Sequence, residues 1–345
     1  MITRGYVAHE ASAPLVPFEF SRRALGPRDV AFDVLFSGIC HSDIHQVREE
    51  WGPSTFPMVP GHEIIGVVTS VGADVTKFVP GQRIGVGVFV DSCRTCDFCV
   101  RGLQQYCHAG MTATYNGLDA QGEPLFGGYA NQFVIDQDYA VTVSEDCDMA
   151  GAAPLLCAGI TLYSPLKHFG AGPGKRVGII GLGGLGHMGV QFAHALGAHV
   201  TVFTHSASKE ADARALGADD VVVTLAPGAI ATSGGHFDLI INASSADLDI
   251  NPYLKALTTD GIFCFVGISG HPFSFDPSLL IGGRRHITGS AIGGMVELQE
   301  MMDFAAAHGI ASQVEVIEAS AINVAYERTV ASDVKYRFVI DATTF

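Results

Sequence analysis

The chain has 345 residues, more than one compact core usually holds, so its length predicts two domains with a ligand cleft between them. Charged residues make up 16% of the chain and hydrophobic residues 48%, which excludes a disordered protein. The formal net charge of −15 argues against nucleic acid and anionic membranes as partners.

The start of the chain carries Arg4, His9 and Glu10 and lacks an apolar run behind a basic segment. We therefore expect no secretory signal and a cytoplasmic protein. Further on, the residues from Val177 to Ser208 include no Asp, Glu, Lys or Arg, which is superficially typical of a membrane span. The glycines and histidines in that stretch favour a buried strand, turn and helix instead.

Two short motifs in the first third of the chain predict a catalytic metal site. One is Cys40-His41-Ser42-Asp43, and the other is Gly61-His62-Glu63. A soft thiolate and an imidazole suit a catalytic zinc, which keeps one coordination position open for substrate. Taken alone, the motifs fit an ordinary buried cysteine and histidine equally well.

Eight cysteines without a secretory signal favour thiols or metal ligands over disulfides. Four of them follow the spacing Cys-x2-Cys-x2-Cys-x7-Cys in a segment of loop-like composition: Cys93, Cys96, Cys99 and Cys107. Four thiolates enclose one ion tetrahedrally and leave no room for substrate, so the spacing predicts a structural zinc. An iron–sulfur cluster, which favours a shorter final gap, and redox disulfides are the alternatives.

The middle of the chain predicts a dinucleotide-binding unit. An apolar strand, Arg176 to Ile180, leads into a glycine-rich turn and then a helical pattern through Val190 and Leu196. The glycines permit a tight turn, a close approach of backbone to pyrophosphate and close packing of helix on strand. The turn consists of Gly181, Leu182, Gly183, Gly184, Leu185 and Gly186.

Further apolar runs alternate with segments of helical length after this turn, which predicts a doubly wound parallel sheet. The predicted strands are His199 to Thr204, Val221 to Val223, Leu239 to Ile241 and Ile262 to Val266.

The end of the second predicted strand discriminates between coenzymes. An acidic residue there would bind the ribose of NAD, but none occurs between His187 and Lys209. The segment instead offers hydroxyls, an imidazole and an ammonium to a 2′-phosphate, and we expect NADP(H). The donors are Thr204, His205, Ser206 and Lys209. The alternative for Lys209 is a solvated residue at a helix start.

Together these motifs resemble the zinc-dependent medium-chain alcohol dehydrogenases, in the cinnamyl-alcohol-dehydrogenase-like branch of broad aldehyde reductases. Further marks of the resemblance are Gly289 to Gly294 and Tyr336 to Asp341. The resemblance implies an α/β fold with a second, β-rich domain: a GroES-like catalytic domain with an inserted Rossmann domain. The expected ranges are 1–157 and 294–345 for the zinc-binding catalytic domain, and 158–293 for the NADP-binding domain.

The resemblance also implies the ligands of a catalytic zinc: Cys40, His62 and Cys157, with Glu63 alongside to orient the site or to ligate transiently. Spacing alone does not choose among Cys147, Cys157 and Cys264, and Cys264 lies in an apparent buried strand. For Glu63 a salt-bridged glutamate is the alternative.

For the chemistry, the resemblance implies that Ser42 takes the proton of a substrate alcohol and that His45 exchanges this proton with solvent. A satisfied structural histidine is the alternative for His45, and Glu50 is another possible end of the relay. Other implied coenzyme contacts are His41, Ser42, Ala243, Gly267, Ser290, Ala291, Ile292 and Arg337. For Arg337 a structural ion pair is the alternative.

The substrate is predicted least sharply. Positions that hold bulky aromatic residues in the plant cinnamyl enzymes correspond here to Met111, Thr112 and Ala291, which favours a broad enzyme for aromatic and medium aliphatic aldehydes. Trp51, Phe56 and Met58 are candidates for the same pocket or for the core. A polyol dehydrogenase and a non-catalytic NADPH-binding zinc protein are the rival functions, and the resemblance implies a homodimer.

Overall fold

The computed structural model describes residues 2–119, 121–226, 228–232 and 236–345. The chain divides into two units: a first unit of Met1–Ile160 with Gly293–Phe345, and an inserted unit of Thr161–Ile292. The predicted domain ranges also include residues 1, 120, 227 and 233–235, which lie outside the described residues.

A parallel sheet forms the centre of the inserted unit. Its apolar strands are buried, as expected when helices cover both faces of a parallel sheet. Within the described part of the chain it has six strands in the order β12-β11-β10-β13-β14-β15, the doubly wound order in which ligands bind at the carboxyl ends of the strands. This confirms the predicted Rossmann sheet. The strands are β10 (Arg176–Ile180), β11 (His199–Thr204), β12 (Asp220–Val223), β13 (Phe237–Asn242), β14 (Leu257–Phe265) and β15 (His286–Gly289).

Strand β14 differs from the prediction at both ends, since it begins at Leu257 and stops one residue before Val266. The backbone N–H groups of Val266 and Gly267 both donate to the carbonyl of Asn242, at 3.1 and 3.2 Å. Two consecutive donors on one acceptor cannot continue a regular ladder, so the strand ends at this point.

Aromatic side chains fill the core on the β13 and β14 side of this sheet. The rings of Phe203 and Phe237 meet at 5.3 Å and those of Phe203 and Tyr253 at 5.2 Å, both edge to face. The helices of this part of the chain are α4 (Ala158–His168), α5 (Gly186–Ala195), α6 (Glu210–Ala215), α7 (Ala229–Thr232), α8 (Asn251–Ala256) and α9 (Ser278–Ile281).

The first unit is built on a mostly antiparallel sheet with β3 (Asp29–Gly38) near its centre. Among the described residues its order is β16-β17-β3-β4-β5-β9, with β8 also paired to β3. The C-terminal strand β17 lies antiparallel to the end of β3, where Val339 is opposite Gly38. The other strands are β4 (Ile64–Val71), β5 (Arg83–Val86), β8 (Gln132–Asp136), β9 (Val141–Thr142), β16 (Val314–Glu318) and β17 (Arg337–Asp341).

Smaller elements complete the first unit. A hairpin joins β1 (Ile2–Val7) to β2 (Val16–Ser21), and β6 (Phe89–Asp91) pairs with β7 (Thr112–Ala113). The helices are α1 (His41–Val47), α2 (Asp97–Val100), α3 (Met149–Ala152), α10 (Met295–His308) and α11 (Ile322–Val330). A core cluster that includes Ile44, Met58, Tyr129 and Phe338 packs α1 and α11 against the end of the sheet.

Within the described ranges, none of the helices combines the length and the apolar composition that a membrane span requires. One bent pair of segments, Met149–Leu156 with Ala158–His168, passes that test jointly by length and composition. Most of these residues are buried, as in the core helices of globular proteins.

Candidate active site

The first part of the site lies where β3 ends and α1 begins. Cys40 precedes the first residue of α1, and its backbone N–H donates to Asp43 Oδ2 at 3.0 Å. This bond is half of a capping box, in which a side chain of the first turn binds the backbone before the helix. The cap holds Cys40 at the helix start, where only 4% of the residue is exposed.

The second part is the loop before β4, which carries His62 and Glu63. Gly61 has φ +105°, and a Cβ atom there would lie 2.6 to 2.9 Å from atoms of Tyr129 and Gly128. The two segments are also joined by backbone hydrogen bonds, Gly128 N to Gly61 O at 2.8 Å and Tyr129 N to Pro60 O at 2.9 Å. Only glycine fits this conformation and this close contact, and the contact fixes the backbone immediately before His62.

The third part is Cys157, which follows the short 3₁₀ helix Ala153–Leu156 and is buried. The structure brings it to Cys40, His62 and Glu63: one candidate ligand atom of each residue lies within 4.8 Å of all the others. All four residues belong to the first unit.

The two ring nitrogens of His62 have different surroundings. His62 Nδ1 lies 3.0 Å from Asp43 Oδ1, while Nε2 is buried and makes no hydrogen bond of acceptable geometry with the described residues. A carboxylate on one ring nitrogen fixes the tautomer with its lone pair on the other, which is the usual arrangement of a metal-ligating histidine. Two sulfurs and this nitrogen are ligands that suit zinc.

The charges around the sulfurs favour a thiolate. A hydrogen bond with Cys157 and the positive charges of Arg337 and His62 hold the pKa of Cys40 well below its usual range, against the effect of burial. The same hydrogen bond and burial raise the pKa of Cys157. Burial lowers the pKa of His62, but Asp43 and Cys40 outweigh it and raise the value. A thiolate is the form in which cysteine binds metal.

Glu63 is fully buried and forms an ion pair with Arg337, of which 5% of the side chain is exposed. Burial raises the pKa of Glu63 to about 7, although the charge of Arg337 lowers it. Gly38 makes room for the carboxylate, because a Cβ atom there would lie 2.0 Å from Glu63 Oε2. The structure therefore contains the ion pair that was the alternative expected from the sequence for both Glu63 and Arg337.

The residues of the predicted proton relay follow Cys40 on α1. Ser42 Oγ lies 3.5 Å from Cys40 Sγ, within hydrogen-bonding reach. His45 comes one turn later and is bound through Nδ1 to Glu50. His41 is exposed, and its ring centre lies 6.1 Å from that of His45.

Of the pocket candidates in the first unit, Met58 is 1% exposed and belongs to the core, with Phe56 packed against it. Trp51 and Met111 are 44% and 38% exposed, and Thr112 is half-buried. Ala291 is exposed and belongs to the inserted unit.

The four cysteines of the predicted structural site form a second candidate metal group. Their sulfurs all lie within 4.8 Å of one another, and Cys93 Sγ and Cys99 Sγ are 3.8 Å apart. Tetrahedral zinc with Zn–S bonds of about 2.3 Å requires sulfurs about 3.8 Å apart. Backbone N–H groups of Thr95 and Cys96 lower the pKa of Cys93 to about 6. The set that could hold the metal is Cys93, Cys96, Cys99 and Cys107.

The glycine-rich turn of the inserted unit joins β10 to α5. Gly181 has φ +89°, and a Cβ atom on Gly186 would lie 1.9 Å from Gly181 O. Gly183 is exposed, and a Cβ atom there would meet nothing within 4 Å. The turn thus needs Gly181 and Gly186 for its own conformation and packing. At Gly183 it leaves the backbone accessible, as binding of a pyrophosphate requires.

The segment after β11 lies beside this turn. Lys209 Nζ donates to Leu182 O at 2.9 Å, and the hydroxyls of Ser206 and Ser208 are 2.7 Å apart. Thr204 is buried and His205 is exposed. An ammonium and two hydroxyls next to the turn fit a ribose phosphate.

Other predicted coenzyme contacts lie at the carboxyl ends of the neighbouring strands. Ala243 follows β13, and its N–H donates to Ile180 O at 3.1 Å; Ser290 follows β15, and its N–H donates to Phe265 O at 3.0 Å. This is the edge at which doubly wound sheets bind ligands. Gly267, Ala291 and Ile292 belong to the same connections.

Sequence reasoning gave Asp43 no role. It is fully buried and accepts hydrogen bonds from four groups: Cys40 N, Gly61 N, His62 Nδ1 and the Tyr129 hydroxyl. The available signal was a carboxylate three residues after the ligand Cys40, in the position of a helix cap.

Known proteins resemble this chain over its length. Residues 26–145 match the alcohol dehydrogenase GroES-like domain, and residues 184–307 match the zinc-binding dehydrogenase family. NADP-dependent alcohol dehydrogenase C 1 of Mycolicibacterium smegmatis is 52% identical over 98% of this chain and 97% of its own length. Aldehyde reductase YahK of Escherichia coli is 48% identical over 98% and 97%.

Among solved structures, a cinnamyl alcohol dehydrogenase from Sorghum bicolor superposes with a TM-score of 0.95 at 43% identity, covering 99% of this chain and 98% of that one. The matches confirm the resemblance predicted from the motifs. The chain belongs to the zinc-dependent medium-chain alcohol dehydrogenases, in their cinnamyl-alcohol-dehydrogenase-like branch.

Proposed function

We propose that this chain interconverts primary alcohols and aldehydes by hydride transfer with NADP(H), mainly as an aldehyde reductase. The observation that carries the proposal is that Cys40, Cys157 and His62 Nε2 converge in a buried cluster beside the Ser42 hydroxyl. The relatives named as NADP-dependent alcohol dehydrogenase and aldehyde reductase support the same class.

When bound, zinc supplies a Lewis acid for the substrate oxygen, and NADP(H) supplies or accepts the hydride. The protein's own part is to hold and move the proton. Ser42 accepts the proton of an alcohol in oxidation and returns it in reduction, because a hydroxyl donates and accepts at once. His45 lies one helical turn further on the same face of α1 and exchanges that proton with solvent.

We propose two zinc ions per chain, one in each candidate group. Cys40, His62 and Cys157 hold the catalytic ion with Glu63 beside it, and the four-cysteine loop holds the structural one. Cys157→Ala should bind one zinc fewer per chain and lose aldehyde reduction, as measured by elemental analysis and by NADPH consumption. Cys147→Ala is the matched control, since this half-buried thiol belongs to neither group. Unchanged zinc and activity in Cys157→Ala would exclude the assignment.

The finer organisation is also proposed. The catalytic domain comprises 1–157 and 294–345, and the coenzyme domain comprises 158–293. The proposed coenzyme contacts are His41, Ser42, the glycine turn and the loop from Thr204 to Lys209. Two copies form a cytoplasmic homodimer, and sedimentation as a monomer at micromolar concentration would contradict this. The proposed substrates are aromatic, allylic and medium aliphatic aldehydes.

The first experiment follows NADPH and NADH consumption in parallel with cinnamaldehyde, benzaldehyde and a medium-chain aliphatic aldehyde. We expect turnover with NADPH and little with NADH, because the loop after β11 offers an ammonium, an imidazole and hydroxyls and no carboxylate. Equal use of NADH would refute the coenzyme proposal. Turnover of polyols alone, or none with zinc present, would favour the rival functions.

A further inference from the structure

The proposed relay histidine is packed against an indole. The rings of His45 and Trp51 are stacked, with centroids 4.7 Å apart and planes inclined by 28°. The His45 Nδ1 atom is bound to Glu50, one residue before Trp51. The imidazole is thus held through one face and one nitrogen, and Nε2 is the atom left for proton exchange.

The loop that carries Trp51 is fastened at both ends. Ser54 Oγ donates to Gln46 O at 2.8 Å, and Ser54 N donates to Glu49 Oε1 at 2.8 Å. Asn116 reaches the same loop, because its Oδ1 accepts from Thr55 N at 2.7 Å. Although Trp51 is 44% exposed, these hydrogen bonds fix the turn that places it over His45.

The charged and titratable groups near this imidazole come from α1, from the turn after it and from α11. Glu50 binds it, and His41 faces it from the preceding turn of α1. From α11, which contacts α1, Glu327 is already bound by Arg48. Within the described residues, the Trp51 indole face and the Glu50 carboxylate are therefore the two close contacts shown for this imidazole.

We propose that Trp51 is a positioning residue of the proton relay: it holds the His45 ring in place and stabilises the imidazolium through its π face. An indole is the best aromatic partner for a cation, and stacked aromatic pairs are favourable beyond their buried area. The proposal rests on the relay role of His45 in the proposed function.

Because the chain has one tryptophan, the stack can be observed directly. Excitation at the red edge of the indole band reports Trp51 without the tyrosines, and a stacked imidazolium quenches indole emission more strongly than neutral imidazole does. In the zinc-loaded, coenzyme-free enzyme, emission should be lower when the His45 imidazole is protonated than when it is neutral, and fluorescence recorded against pH measures this difference. His45→Gln should lose this change, while the control His308→Gln, which removes an exposed imidazole stacked on Phe304, should keep it.

A second measurement separates positioning from a pocket role. In Trp51→Leu, kcat for alcohol oxidation should fall about 2- to 10-fold, the size expected for a lost aromatic stack. Its pH profile should move towards that of His45→Gln, equally for small and large alcohols, and Trp51→Phe should restore it. A change confined to KM for large substrates would instead assign Trp51 to the pocket and overturn the proposal.

The outcomes for the stack and for the function are distinguishable. Emission that does not depend on pH, or depends on it equally in His45→Gln, contradicts the proposal whether or not the enzyme turns over. A fluorescence titration that is present without turnover of any alcohol or aldehyde supports the stack and rejects the proposed function.

Discussion

At the residue scale, one carboxylate organises the candidate metal site. Asp43 receives a backbone donor from each of the two segments that carry Cys40 and His62, and it also binds the imidazole and a tyrosine hydroxyl. Its position on α1 therefore couples helix capping to ligand orientation. A buried charge with this many donors is stable only while all of them are in place.

Replacing this carboxylate by an amide should weaken zinc binding. Asp43→Asn keeps the size but puts an amide group where one carboxylate oxygen accepted from two donors, so two donors lose their acceptor. We expect zinc affinity to fall about 10- to 100-fold, as for other partners of metal-bound histidines. Competition with a chromophoric chelator measures this directly.

The control is Asp33→Asn, the same change at an exposed carboxylate that contacts Gln132. Circular dichroism shows whether Asp43→Asn remains folded. A folded Asp43→Asn protein with the wild-type zinc affinity would mean that Asp43 has only a structural function.

Motifs in the sequence pointed to Cys40 and His62, because both stand in short segments of unusual composition. Cys157 could not be chosen in this way, since its neighbours are ordinary apolar residues and only the fold brings its sulfur to the others. The stack of Trp51 on His45 was missed for a related reason: it depends on the turn between them, which spacing does not determine.

At the element scale, the connection from β10 to α5 contains glycines that its own packing requires and one glycine that we propose for coenzyme binding. Gly186→Ala places a methyl group against the backbone of Gly181 and should destabilise the protein by about 1–3 kcal/mol, as overpacking does. Gly183→Ala meets no protein atom, so its stability should stay within about 0.5 kcal/mol of wild type. Its affinity for NADPH should nevertheless fall several-fold, because the methyl group occupies the side open to pyrophosphate.

Thermal unfolding and coenzyme titration test this pair together. Gly172→Ala, in the loop before β10, is the control, because a Cβ atom there would lie at an ordinary contact distance of 3.6 Å from the Leu196 carbonyl oxygen. Wild-type NADPH affinity in Gly183→Ala would show that the coenzyme does not approach the turn at this residue.

The strands of the inserted unit were predictable because buried parallel strands are continuous apolar runs. β10 and β11 have the predicted bounds, Arg176–Ile180 and His199–Thr204. The extension of β14 back to Leu257 was not predictable, since Thr258, Thr259 and Asp260 are polar. They lie in an irregular stretch between the paired residues Leu257 and Ile262.

At the scale of the whole molecule, the two units carry different parts of the proposed chemistry. Both candidate metal groups lie in the first unit, whereas the glycine turn and the loop from Thr204 to Lys209 lie in Thr161–Ile292. Metal binding and the main coenzyme contacts should therefore be separable by treatments that act on one unit alone.

Removing zinc with a chelator should abolish aldehyde reduction, while NADPH still binds to the inserted unit and restored zinc recovers activity.

Conversely, Lys209→Ala should keep its zinc but lose about 10- to 100-fold in NADPH affinity, the size of a hydrogen bond to a charged phosphate. NADH affinity should hardly change, which separates the loss of a phosphate contact from damage to the turn through Leu182. Lys255→Ala, an exposed lysine on α8, is the matched control. Equal losses for NADPH and NADH in Lys209→Ala would mean that this lysine supports the turn and does not read the phosphate.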